Sequence, residues 1–156
     1  MIQGNWLLTG KKSMVNKVLI DTNILLDYLL ERELFFEDAK KVVISCVEGG
    51  TKGCIAAHSI SNMFFILRKD YNAKERREIL SNLCAIFDVE GIGKDKLLAG
   101  LSNENFTDFE DCLQMECAKS YGADYIITRN VSDYATSEIK AIEPRDYLTL
   151  KQNESF

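Results

Sequence analysis

Proline occurs once in this 156-residue chain, histidine once, and no segment is repeated or of low complexity. Nothing therefore marks a linker, and the length suits one domain with a sizeable core. Five cysteines (Cys46, Cys54, Cys84, Cys112, Cys117) contain no CxxC pair, and a single histidine is too few to complete a zinc site with them. They read as reduced core thiols of a cytoplasmic protein, not as a disulfide framework. No apolar run approaches the ~18 residues of a membrane span. Trp6-Leu7-Leu8 is too short for the core of a signal peptide. Excess positive charge is also missing: the net charge is −5, so any nucleic-acid contact has to be local. Finally, no glycine-rich turn follows the apolar run Val18-Leu19-Ile20, which removes the dinucleotide-binding and P-loop readings.

What is present is a balanced composition, 46% apolar and 28% charged, ordinary for a soluble globular protein. Short apolar runs alternate with helical periodicities. Lys17–Ile20 reads as a buried strand running directly into a helix at Ile24-Leu25-Leu26. Phe36–Glu48 carries a helical stripe ended by Gly49-Gly50, and Gly53–Ala56 reads as a second strand. Ser59 is the expected cap of the next helix, through Met63–Leu67 to Arg68-Lys69, with Phe64 and Phe65 at core spacing. A helix over Lys74–Phe87, a weak strand at Asp88–Ile92 and a short helix near Lys94–Leu101 follow. Thr107-x-x-Glu110 has the capping-box pattern, opening a helix to Tyr121. Tyr125–Thr128 and Lys140–Ile142 complete a set of about five strands. Such alternation implies a parallel sheet with right-handed crossovers.

Three acids stand out within this frame. Asp21 ends the first strand, where ligands of parallel sheets gather. It reads either as the cap of the following helix or as part of a site. Asp111 falls at the fourth position of its helix by the capping-box count, and Asp133 follows the fourth strand. If strands one and four are neighbours, all three converge on one sheet end. Carboxylates gathered there repel, and a hard divalent cation relieves the repulsion. Asp108 and Glu110 read as cap and dipole complement at a helix start. His58 reads as a structural hydrogen-bonder. Arg68, Lys69, Lys74, Arg76 and Arg77 form a basic cluster, read either as a solvated helix face or as an RNA track. A haloacid-dehalogenase-like phosphotransferase needs a second acid two residues after Asp21, where Asn23 stands.

The segments VLIDTNILLDYLL, HSISNMFFILRK, DFEDCLQMECA and ADYIITRNVSDY, in this order and spacing, resemble the PIN-domain family, in particular the bacterial VapC-type toxin endoribonucleases. The resemblance implies an α/β fold, a three-layer α/β/α sandwich around a parallel sheet of about five strands. It places the PIN-like domain at residues 15–150, with 1–14 as an N-terminal extension and 151–156 as a tail. It implies Mg²⁺ or Mn²⁺ held by Asp21, Asp111 and Asp133, and hydrolysis of RNA to a 5′-phosphate and a 3′-hydroxyl. Asn23, Thr128 and Asn130 match small polar positions around that centre, and Arg129 is a candidate phosphate contact. It also implies an antitoxin partner, a homodimer, and no membrane. One family acid is missing: Asn62 occupies the position where relatives carry Glu. Asn keeps a carbonyl oxygen but removes a charge. The alternative is therefore a weakened or inactive PIN fold that binds RNA or protein without cleaving.

Overall fold

The protein is described here by a computed structural model, over residues 15–154. The expected extension at 1–14 lies outside the described residues. Five strands pair in parallel: β1 (Asn16–Ile20), β2 (Thr51–Ala56), β3 (Asp88–Glu90), β4 (Tyr125–Ile127) and β5 (Ala141–Ile142). Their spatial order is β3-β2-β1-β4-β5. The order reverses between β1 and β4, since the chain leaves β1 toward β2 on one side and later returns to β4 on the other. In open parallel sheets, that crevice at the strands' carboxyl ends is where ligands bind.

Side chains alternate along the strands, so the sheet buries both faces. Val18, Ile20, Ile55 and Ile127 point into one core. They pack under α1 (Thr22–Leu29), α2 (Phe36–Val47), α3 (Ala57–Ile66) and α4 (Ala73–Ile86). Leu19, Cys54, Ala56 and Ile126 point into the other core, under α6 (Phe109–Tyr121). Helix α5 (Lys94–Ser102) packs on α6, where Gly100 lies so close that a Cβ would meet Phe109 at 2.9 Å. The result is the expected three-layer sandwich.

Several local expectations need correction. Helix α3 starts at Ala57 directly from β2, and Ser59 is not its cap. Ser59 is instead fully buried in the first turn, accepting hydrogen bonds from Thr22 and Gln114. Helix α6 is capped by Asp108, not Thr107, because the Asp108 carboxylate accepts the Asp111 N–H at 3.0 Å. Asp111 is therefore the third helical residue, one place earlier than expected. Gly122, at φ +78°, ends this helix in the left-handed conformation. Helix α7 (Pro144–Glu154) was not anticipated, although its Pro occupies the first helical position, where its missing N–H costs nothing. It carries ordered structure past residue 150. Phe65 is 61% exposed, not core. Among the cysteines Cys54, Cys112 and Cys117 are buried and Cys46 half-buried, but Cys84 is exposed.

Candidate active site

Asp21 follows β1 at the N-cap position of α1, and its backbone N–H still bonds across to Ile127 of β4. Although 6% exposed, it makes no capping hydrogen bond. Its Oδ2 instead accepts the Thr128 hydroxyl at 2.7 Å. Thr128 is fully buried, and its Oγ1 in turn accepts the Asn130 N–H at 3.0 Å. Residues at the end of β4 thus orient the acid at the end of β1. Burial raises the Asp21 pKa, against the Thr128 hydroxyl, the Asn23 and Thr22 amides, and the more distant Arg129 charge, all of which lower it.

Asp111 reaches the same place from the opposite layer. Asp21, Asn23, Asn62, Glu110, Asp111 and Gln114 line one cavity of about 450 Å³, with Phe65 also on its wall. Asp111 also borders a second cavity of about 430 Å³, shared with Asp108, Ser132 and Asp133. Asp133 therefore approaches Asp111 from the far side and does not line the Asp21 cavity. Burial, followed by the charges of Asp108, Asp21 and Asp133, pushes the Asp111 carboxyl up to about 7. The Tyr134 hydroxyl, 3.5 Å from Asp111 Oδ1, opposes this.

Asn62 does not stand alone. Its Nδ2 donates to Glu110 Oε1 at 2.8 Å, joining α3 to the first turn of α6. Thr22, Ser59 and Gln114 form a polar bridge below them: Thr22 donates to Ser59 at 2.6 Å, and Gln114 Nε2 donates to both hydroxyls. Gln114 is 3% exposed, and its Oε1 has no hydrogen-bond partner among the described residues. Sequence reasoning missed this bridge and Tyr134. Gln114 was findable, because it lies one helical turn after Asp111 and so shares its face.

Arg129 is engaged elsewhere. Its Nε and Nη2 bond the two oxygens of fully buried Asp27 at 2.7 and 3.2 Å, and its guanidinium stacks 4.0 Å from the Phe35 centroid. The basic cluster leans on aromatic rings. Arg68 sits 3.6 Å from the Phe65 centroid and Arg76 4.2 Å from that of Phe64. His58 Nδ1 has no partner among the described residues, and burial lowers its pKa despite Glu110, Asp21 and Asp108 nearby.

A family profile described as PIN domain matches residues 17–132, most of the chain, taking in Asp21 and Asp111 and ending one residue before Asp133. The chain belongs to the PIN-domain family. No curated protein matches at a significant level. Three solved structures share the fold. A toxin–antitoxin complex from Klebsiella pneumoniae is 23% identical, with a TM-score of 0.61 over 81% of this chain and 97% of that one. FitAB bound to an IR36 DNA fragment is 14% identical, with a TM-score of 0.63 over 81% and 94%. VapBC2 from Rickettsia felis, bound to a DNA fragment from its promoter, is 10% identical, with a TM-score of 0.61 over 81% and 98%.

PIN domains are a family of nucleases that generally use divalent metal ions. Among the described residues, no group of three His, Cys, Asp or Glu side chains is placed to hold a metal ion. The carboxylates of Asp21 and Asp111 in the cavity are nonetheless oxygen donors. Mg²⁺ binds through one or two carboxylates while keeping several waters for substrate phosphates to replace. An open two-carboxylate cavity in a PIN domain meets that requirement.

Proposed function

We propose that this PIN domain is a metal-dependent endoribonuclease acting as the toxin of a cytoplasmic toxin–antitoxin pair. The observation that carries the reading is the meeting of Asp21 and Asp111 in one cavity at the point where the strand order reverses. Asp21 and Asp111 hold Mg²⁺ or Mn²⁺, with Asp133 assisting across Asp111. Such an ion, when bound, polarises a phosphate oxygen and lowers the pKa of an attacking water. Thr128 fixes the rotamer of Asp21, and the Asn130 N–H fixes Thr128. Asn23 is a further polar group beside the phosphate path. Exposed Phe65, on the cavity wall with Arg68 over its ring, offers a stacking surface to an unpaired base. That favours single-stranded or looped RNA.

Kinship in fold with a toxin–antitoxin complex supports an antitoxin partner. Phe65 and Ile66 give the cavity rim an apolar surface such a partner would cover; a homodimer is proposed on the family resemblance alone. No helix among the described residues is long and apolar enough to cross a membrane. A second reading, a binding module without cleavage, is favoured by Asn62. Incubating the protein with structured and unstructured RNA in Mg²⁺, Mn²⁺ or EDTA separates the two. Metal-dependent cleavage is expected from the unsubstituted chain; cleavage seen only in Asn62→Glu would support the binding module instead.

A further inference from the structure

The polar bridge of Thr22, Ser59 and Gln114 is more than the fold requires. It sits where α1 and α3 of one layer meet α6 of the other, between two cores that are otherwise apolar. Ser59 is fully buried and Gln114 nearly so. Hydrogen bonds formed in place of bonds to water return little net stability. The Gln114 Oε1, inaccessible and without a partner among the described residues, works against even that. What a connected polar network does supply is direction, whereas apolar packing loses uniqueness before it loses stability.

The two cavity acids depend on direction unequally. Asp21 is fixed by the sheet, since its N–H bonds the Ile127 carbonyl at 3.0 Å. Asp111 arrives on α6, which lies on the other face through apolar residues such as Cys112, Met115 and Ala118. Such contacts are non-directional. The bridge ties the two together. Thr22 directly follows Asp21, and Gln114 shares the Asp111 face of α6. Gln114 Nε2 donates to Thr22 Oγ1 at 3.2 Å and to Ser59 Oγ at 3.1 Å, while the Thr22 hydroxyl donates to Ser59 at 2.6 Å. Thr22 and Gln114 both border the cavity that holds the acids.

We propose that Gln114, through Thr22 and Ser59, sets the position of α6 against α1 and with it the separation at which Asp21 and Asp111 act on one bound cation. Gln114 is a positioning residue and not a ligand. The inference rests on the metal-centred reading above and assigns the spacing of its two carboxylates. It also gives a reason for keeping a polar bridge that contributes little to stability.

Gln114→Met keeps much of the length and volume while removing both N–H donors and the unpartnered oxygen. Its urea midpoint in EDTA is expected to equal or exceed that of the parent. Mn²⁺ alone, titrated while the free ion is followed by electron paramagnetic resonance, is expected to bind this variant about 10-fold more weakly or worse, as when groups that orient metal ligands are lost. Ser59→Ala deletes the shared acceptor but leaves the bond from Gln114 to Thr22, and is expected to weaken uptake less. It carries the test if Gln114→Met fails to fold. Uptake by Gln114→Met equal to the parent's, or lost only in step with the urea midpoint, would overturn the positioning role while leaving the Asp21–Asp111 site standing. No uptake by the parent would overturn the metal-centred reading, and the role of the bridge with it.

Discussion

Asp111 shows what crowding does to a single carboxyl. Burial and then Asp108, Asp21 and Asp133 raise its pKa from 3.8 to about 7. A carboxyl whose pKa rises on folding contributes stability that is full below about pH 4 and is lost as the pH climbs through about 7. Asp111→Asn cannot ionise. Its thermal stability in EDTA should therefore gain on that of the parent between about pH 4 and 7 and level off by about pH 8. An advantage that stays flat or shrinks as the pH rises would show that the crowding is absent. Asp21→Asn keeps an oxygen for Thr128 but loses the charge that holds a cation. RNA cleavage should fall by on the order of 100-fold or more with little change in unfolding temperature.

At the scale of elements, Arg129 belongs to the scaffold. It joins the turn after β4 to α1 through Asp27, which Arg32 also meets at 3.2 Å. Leaving a buried charge wholly unpaired costs about 3 kcal/mol or more, and Arg32 holds the loss of Arg129 below that. Arg129→Ala should accordingly lower the urea midpoint, and any loss of RNA binding should track the loss of fold. Helix α4 opens with a capping box, Asn72 with Glu75. Asn72→Ala should cost about 1 kcal/mol by the same measurement and leave cleavage unchanged. Neither effect was plain in the sequence, for different reasons. The sequence around Asn72 also accommodates a start at Lys74. The pairing of Arg129 with Asp27 spans 102 residues, and only the folded sheet brings them together. Similarly, Thr107 and Asp108 are both good caps, and only backbone geometry chose Asp108.

At the scale of the molecule, the unbroken apolar runs Val18–Ile20 and Ile126-Ile127, fully buried on both faces, made the parallel sheet legible, and with it the positions of Asp21 and Thr128. The sheet is tightly packed at its middle: a Cβ on Gly53 would meet Cys46 Sγ and Phe87 Cδ1 at 3.0 Å. Gly53→Ala should cost about 1–3 kcal/mol by urea unfolding. What stayed hidden is the contact between the layers. Asn62 and Glu110 sit 48 residues apart on helices from opposite faces, meeting beyond the carboxyl edge of the sheet. Asn62 read alone therefore suggested a lost function, whereas the folded chain sets a neighbouring carboxylate against it. Diffraction from crystals soaked in Mn²⁺, recorded for anomalous scattering, tests the central claim most directly. The account predicts a manganese peak about 2.1 Å from oxygens of both Asp21 and Asp111; a peak elsewhere, or none in the cavity, would contradict it.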